Sequence, residues 1–306
     1  MEPVPAAEVP RPSAARVWWL AIRPNTLPAA IAPVLVGLGV ALAGRTFAPG
    51  PAVACLAVAL LLQVAANLAN DLADFRSGAD TADRVGPVRV AARGLATPRQ
   101  LLIATAIVIV AAGLAGLYLV AVGGVVILVL GLLAILAALA YTGGPWPYGY
   151  HGLGEVFVFV FFGLVAVMGT AYLQTGTVDA LTALAAVPMG CLATAILVVN
   201  NLRDVDGDRR AGKHTLAVTF GRGFARAEYA AMLAVSAAAI VAIPVAGLAS
   251  PVVLLALVAS PLAVPLLRAV RADGDPRRLN PVLKGTARLE LAVAALLAFG
   301  LAVGGL

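Results

Sequence analysis

Charge is what this chain has least of: across 306 residues, Lys, Arg, Asp and Glu together make only 12%. A soluble domain carries about twice that share, so a fold that must present a polar shell to water is excluded. Cysteine and histidine are nearly missing, with two of each. Cys55 and Cys191 fall inside apolar runs, which leaves them a packing role and excludes a disulfide framework or a thiolate metal cluster. The first fifteen residues have no basic start followed by an apolar core, so no cleavable signal peptide is expected. Residues 1–15, rich in Pro and Ala, read as a disordered cytoplasmic tail, and 16–306 as one membrane domain.

What the chain does have is apolar length. Hydrophobic residues make 62% of it, and the mean hydropathy is +0.99. About 20 apolar residues cross a bilayer as helix, and in lipid a helix satisfies its own backbone. Nine such runs occur, near 28–44, 51–69, 101–120, 124–141, 155–173, 180–199, 229–248, 252–270 and 289–305. The expected fold is therefore all-α: a polytopic membrane bundle of about nine transmembrane helices around a central cavity.

The basic residues orient it. With the N-terminus inside, Arg45 alone of the 21 Lys and Arg falls on the outer side, the asymmetry that sets membrane topology. The expected location is the cytoplasmic membrane, multi-pass, with the site open to the cytoplasm. The net charge of +6 is then explained by insertion and by anionic membrane lipid, and implies no nucleic acid.

Two polar clusters interrupt the apolar pattern at helix ends. One holds Asn67, Asn70, Asp71 and Asp74, followed by Asp80; the other holds Asn200, Asn201, Arg203, Asp204, Asp206 and Asp208. They lie about 130 residues apart, each followed by basic residues and glycine, and read as a weak internal repeat. Asn67, Asp71 and Asp74 share a helix face at i, i+4 and i+7; Asn70 and Asp74 also stand at i, i+4; Asn200, Asp204 and Asp208 form a similar column. Oxygen-only ligands suit a hard ion such as Mg²⁺ that bridges to phosphate oxygens. Asn70, Asp71, Asp74, Asp80, Asn200, Asp204 and Asp208 are the candidate metal ligands. Asp83, Asp206, Asp273 and Asp275 read as caps or solvated loop charges. Arg84 and Arg89 follow the first cluster and Lys213 the second, where cations would neutralise a leaving diphosphate. Arg93, Arg99, Arg222 and Arg226 read as inner-surface charge.

The inner segment 141–155 differs, having no Lys or Arg but four aromatic residues besides His151: Tyr141, Trp146, Tyr148 and Tyr150. Such rings mark membrane interfaces, and their faces also stabilise carbocations and stack on aromatic substrates. His151 is a possible proton acceptor, although a lone His is more often structural.

At these residues the chain resembles the UbiA superfamily of intramembrane prenyltransferases, through Asn70-Asp71-x-x-Asp74 and Asp204-x-x-x-Asp208. Four further stretches resemble its 1,4-dihydroxy-2-naphthoate polyprenyltransferase branch. They are Arg23-Pro24-x-Thr26-Leu27-Pro28; Asn70 through Gly78-x-Asp80 to Arg84-x-Gly86-Pro87; Tyr141-Thr142-Gly143-Gly144-Pro145 to Gly152-Leu153-Gly154-Glu155; and Asn200-Asn201-x-Arg203-Asp204 to Gly212-Lys213-x-Thr215-Leu216. Gly78 stands where the first motif often has a third Asp, and Asp80 is the candidate replacement. The resemblance implies nine helices in a ring around a central cavity. It implies Mg²⁺-dependent transfer of a polyprenyl group from polyprenyl diphosphate to 1,4-dihydroxy-2-naphthoate, with loss of carbon dioxide and a proton, giving a demethylmenaquinone. Two Mg²⁺ and the diphosphate would sit on the clusters, with Asp71, Asp74, Asp204, Asp208 and Tyr141 as catalytic candidates. Arg23, Asn67, Arg84, Arg203, Lys213, Trp146, Tyr148 and Tyr150 are the substrate-binding candidates. Three other readings compete: another aromatic acceptor, a secondary transporter, and a catalytically silent scaffold. The acids sit at helix ends on one side, which disfavours the transporter, and the intact Asp columns disfavour the scaffold.

Overall fold

The computed structural model describes residues 12–78 and 85–305, all of them helix, turn or loop with no strand among them. Asp80, Asp83 and Arg84, like most of the N-terminal tail, lie outside the described residues. The first helix, α1 (Ala14–Ile22), opens where the Ser13 side chain accepts the Arg16 amide, an N-cap that satisfies an otherwise orphaned donor. A short turn, Pro24–Thr26, joins it to α2 (Pro28–Ala43), and the two are bent by 49°. The bend has a local cause. Arg23 adopts φ 54°, ψ 70°, a left-handed conformation that costs a non-glycine residue about 1–2 kcal/mol, and Pro24 follows it directly.

The chain continues through α3 (Pro49–Arg76) and α4 (Pro98–Ala140), the latter opened by a Thr97–Gln100 capping box. Next come α5 (Gly154–Val158), a π-helical turn (Phe159–Val165) and α6 (Ala166–Thr175), which together make one span. After them lie α7 (Ala180–Arg210), α8 (Leu216–Val245), a 3₁₀ segment (Pro251–Leu262) running into α9 (Ala263–Arg271), and α10 (Leu279–Gly304).

Seven helices are long and apolar enough to cross a membrane, and the bent α1–α2 pair makes eight. The ninth predicted span is hidden in α4. A straight helix of its 43 residues would be about 64 Å long, roughly twice the ~30 Å hydrocarbon core. Gly124 interrupts it at φ 72°, ψ −159°, a conformation open to glycine, and side chains from both arms line one cavity. The break falls at Val122-Gly123-Gly124, between the apolar runs 101–120 and 124–141.

Helix α7 is the most buried of the spans and packs against α2, α6, α8 and α10. Val36 of α2, Val167 of α6, Met189 and Leu192 of α7, and Leu297 of α10 meet in the main core of the bundle. The outward face of α4 leaves Ile107, Val125, Val129 and Leu136 exposed and off the cavity wall, as a lipid-facing helix does. Close approach of α7 to the π turn depends on glycine: a Cβ on Gly163 would lie 2.6 Å from the Gly190 Cα. Gly163→Val is expected to cost about 1–3 kcal/mol by overpacking, read as a lowered melting temperature in detergent. Gly223→Ala is the control, because nothing lies within 4 Å of its added Cβ.

Candidate active site

The inner ends of α3 and α7 bring the two polar clusters to one chamber of about 230 Å³. Asn70 and Asp74 reach it from α3, and Asn200, Asn201, Arg203, Asp204, Asp206 and Asp208 from α7. Loops complete the wall with Arg23, Arg89, Tyr141, Tyr150, Lys213 and Thr215. Below it opens an apolar cavity of about 660 Å³, walled by α2, α3, both arms of α4, the α5–α6 span and α7. Arg23, Asn70, Tyr141 and Asn200 line both compartments, so they mark the passage between them.

The first cluster divides by helical register. Asn70 and Asp74, one turn apart, face the chamber. Asp71 is fully buried and turns the other way, accepting the Val90 amide at 3.0 Å and the Ala91 amide at 3.3 Å. It therefore anchors the loop after α3, and is not among the described residues lining the chamber. Asn67 sits a turn deeper, on the wall of the apolar cavity, and donates to the Ile22 carbonyl and the Thr26 hydroxyl. Its contacts hold the α1–α2 bend, and with it Arg23, at the passage.

Asp74 is the most heavily engaged acid. One oxygen accepts Arg89 at 2.6 Å; the other accepts Lys213 at 3.0 Å and the Tyr150 hydroxyl at 3.2 Å. Lys213 also stands 3.7 Å from Asp208 and 4.6 Å from the centre of the Tyr150 ring. Burial alone would lower the Lys213 ammonium, but Asp74, Asp208 and Tyr150 outweigh it and hold it above its ordinary value. Burial likewise raises the Tyr150 phenol, which stays a donor at neutral pH. On α7, Arg203 is enclosed and fans across three partners. Nε and Nη2 bind Asp204, Nη2 also binds Asn200, and Nη1 binds Asn280. Asn280 in turn donates to the Val85 carbonyl at 3.1 Å.

Aromatic residues of the inner segment separate by depth. Tyr141 stands at the passage, edge-on to Tyr148. Tyr148 lines the apolar cavity, stacks on Phe157 and donates to the Ala137 carbonyl. Trp146 is exposed and stacks on His151 outside both compartments. His151 bonds to the Pro147 carbonyl within its own turn, a structural role. The surface charges behave as expected: Arg222 pairs with Asp206, Arg226 with Asp273, and Asp275 caps a turn at Arg277. The sequence marks Arg89 as a neighbouring base and Asn201 as a member of the second cluster without giving either a ligand role, and it does not single out Asn280, which no charge pattern marks.

Among the described residues no three His, Cys, Asp or Glu side chains converge as a metal cage. A cation nonetheless fits the donor set. The Lys213 ammonium already bridges Asp74 from α3 and Asp208 from α7, which shows that carboxylates from the two clusters come within reach of one positive charge.

A polar chamber of paired acids and bases above an apolar cavity defines a membrane-embedded enzyme for an amphiphile with an anionic head and an apolar tail. The chain belongs to the UbiA prenyltransferase family, whose sequence model matches residues 30–289. It is 45% identical over 92% of its length to 97% of a 1,4-dihydroxy-2-naphthoate octaprenyltransferase of Mycobacterium tuberculosis. It is 40% identical over 94% of its length to 96% of the enzyme of the same name from Escherichia coli. Its fold is similar to that of a UbiA homolog from Aeropyrum pernix, with a TM-score of 0.67 at 18% identity over 90% of this chain and 97% of that one. A UbiA homolog from Archaeoglobus fulgidus, solved bound to GPP and Mg²⁺, superposes with a TM-score of 0.63 at 15% identity over 92% and 99%.

Proposed function

We propose that the protein transfers a polyprenyl group from polyprenyl diphosphate to 1,4-dihydroxy-2-naphthoate, with Mg²⁺, in menaquinone synthesis. The observation that carries this reading is the pair of joined compartments. One is lined by acids and bases for a metal-bound diphosphate, the other by apolar side chains for its tail. The names of relatives similar over nearly the whole chain supply the acceptor.

In this reading Asp74, Asp204 and Asp208 would hold the metal with Asn70 and Asn200, joined by Asp80, while Arg84 would bind the diphosphate; Asp80 and Arg84 lie outside the described residues. Asp71 supports that set by fixing the loop. Bound Mg²⁺ supplies charge neutralisation on the departing diphosphate. Arg203 and Lys213 offer donors to its oxygens, and the Tyr141 face at the passage stabilises the allylic cation through the ring quadrupole. The allylic C–O bond breaks and its electron pair leaves with diphosphate. A ring carbon of the naphthoate supplies the pair for the new C–C bond and loses its proton to restore the aromatic ring, and the carboxylate departs as carbon dioxide with a proton taking its place on the ring.

Protein purified in detergent, given the naphthoate, a short prenyl diphosphate and Mg²⁺, tests the reading. The expected product has the mass of the prenylated, decarboxylated ring, and diphosphate is released only when both substrates are present. Turnover with other phenols but not with the naphthoate would change the acceptor. No diphosphate release with any acceptor would favour transport.

The acceptor's carboxylate needs a cation, and Arg23 at the passage is the proposed one. A guanidinium grips a carboxylate through two parallel hydrogen bonds that Lys cannot reproduce. Arg23→Lys is expected to raise KM for the naphthoate about tenfold, the worth of roughly one charge-assisted bond, and KM for the prenyl diphosphate less. The reverse ratio would place Arg23 on the diphosphate, and equal small effects would make it a surface charge.

The proposed setting is the cytoplasmic membrane, with the N-terminus and the polar chamber inside. A reporter fused after Leu306 is expected to behave as external. Cytoplasmic activity of that fusion would overturn the orientation or the count of nine.

A further inference from the structure

The motif residue Glu155 has no role in the account above. It opens α5 and is buried, outside the set of residues that line either compartment. One carboxylate oxygen accepts the Asn201 side-chain amide at 2.8 Å. The other has no hydrogen-bond partner among the described residues. A carboxylate is costly to bury half-satisfied, so its retention calls for a reason beyond packing.

The reason lies in what Glu155 does to Asn201. A carboxylate oxygen accepts and does not donate. It therefore takes the NH₂ side of the carboxamide and fixes which way the amide points. Asn201 lines the chamber, and its own carbonyl oxygen accepts no hydrogen bond among the described residues. The other two chamber amides differ: the Asn70 oxygen accepts the Thr142 hydroxyl at 2.7 Å, and the Asn200 oxygen accepts Arg203 at 2.6 Å. Asn201 is thus the amide whose oxygen is uncommitted, in a chamber where no three described acids converge. Hard divalent cations complete their shells with amide oxygens when carboxylates are few.

We propose that Asn201 is a further oxygen ligand for the divalent cation in the chamber, and that Glu155 is its positioning residue, an outer partner that holds the amide oxygen toward the site. This rests on the metal-dependent reading given above. Outer partners of this kind are worth 10–100-fold in metal affinity.

Binding of Mn²⁺, followed by electron paramagnetic resonance on the full-length protein in detergent with inorganic diphosphate present, tests the assignment without turnover. N201A is expected to weaken Mn²⁺ binding about tenfold. E155L is expected to weaken it similarly, and E155L/N201A no further than N201A alone, because Glu155 acts through Asn201. E155Q keeps an acceptor facing the amide and is expected to bind close to the wild type. Unchanged binding by N201A overturns the ligand assignment while the metal reading stands. Additive losses in the double variant overturn the positioning role. Failure of the wild-type protein to bind Mn²⁺ at all overturns both readings. If E155L does not fold, N201A and E155Q still decide the matter.

Discussion

Asp208→Ala is expected to lower turnover by about 10²–10³-fold or more, the cost of removing one group that stabilises charge at a reacting centre, while the protein stays folded. The fold is expected to survive because Asp208 stands on the polar chamber wall at the inner end of α7, so its truncation leaves the apolar core untouched. Asp74 needs a gentler change. It is enclosed against Arg89 and Lys213, and truncation would take one shared anion from two buried cations, at about 3–5 kcal/mol. Asp74→Asn keeps an acceptor and the shape, removes the charge, and is expected to lose turnover to the same degree with a smaller fall in melting temperature. Turnover is measured across a Mg²⁺ titration. Near wild-type rates in both variants, or activity that persists in excess chelator, would defeat the metal-dependent reading.

The difference between those two acids was not legible in the sequence. Helical spacing placed Asn70 with Asp74, and Asn200, Asp204 and Asp208 together, and the structure brings all of them to one chamber. Spacing alone could not choose between the two registers on α3, because Asp71 and Asp74 are close in angle. The choice is made by the loop beyond α3, whose amides at Val90 and Ala91 claim Asp71. That is a tertiary contact with no periodic signal. The span count was legible because apolar length has a direct physical meaning in a bilayer, and Gly124 supplied the break inside α4. Among the aromatic residues the sequence could not rank depth. Tyr141, Tyr148 and Trp146 read alike, yet one stands at the passage, one lines the apolar cavity and one stacks outside. Asn280 was invisible for a plainer reason: an uncharged residue at a helix start acquires its role only when α10 docks beside Arg203.

Arg203 is the residue whose replacement should show most clearly that the chamber works as one unit. Its side chain is enclosed and serves Asp204, Asn200 and Asn280 from one planar group. Lys offers a compact ammonium on a flexible stem, so it can answer Asp204 or Asn280 but not both in these directions. Arg203→Lys is therefore expected to cut turnover about 10²-fold, the scale of one removed charge-stabilising donor. Arg203→Ala is expected also to lose about 3–5 kcal/mol of stability, because Asp204 is left without its buried partner. Asn280→Ala separates the two effects. It spares the Arg203–Asp204 pair and removes the Arg203 Nη1 bond to Asn280 together with the tie to the Val85 carbonyl. Its expected cost is about tenfold in turnover, the worth of one hydrogen bond to a charged group, with little change in melting temperature. Activity and melting measured on all three variants decide the point. An Arg203→Lys protein that works like the wild type would show that charge alone is needed there, and that the planar fan across α7, α10 and the loop at Val85 is incidental to catalysis.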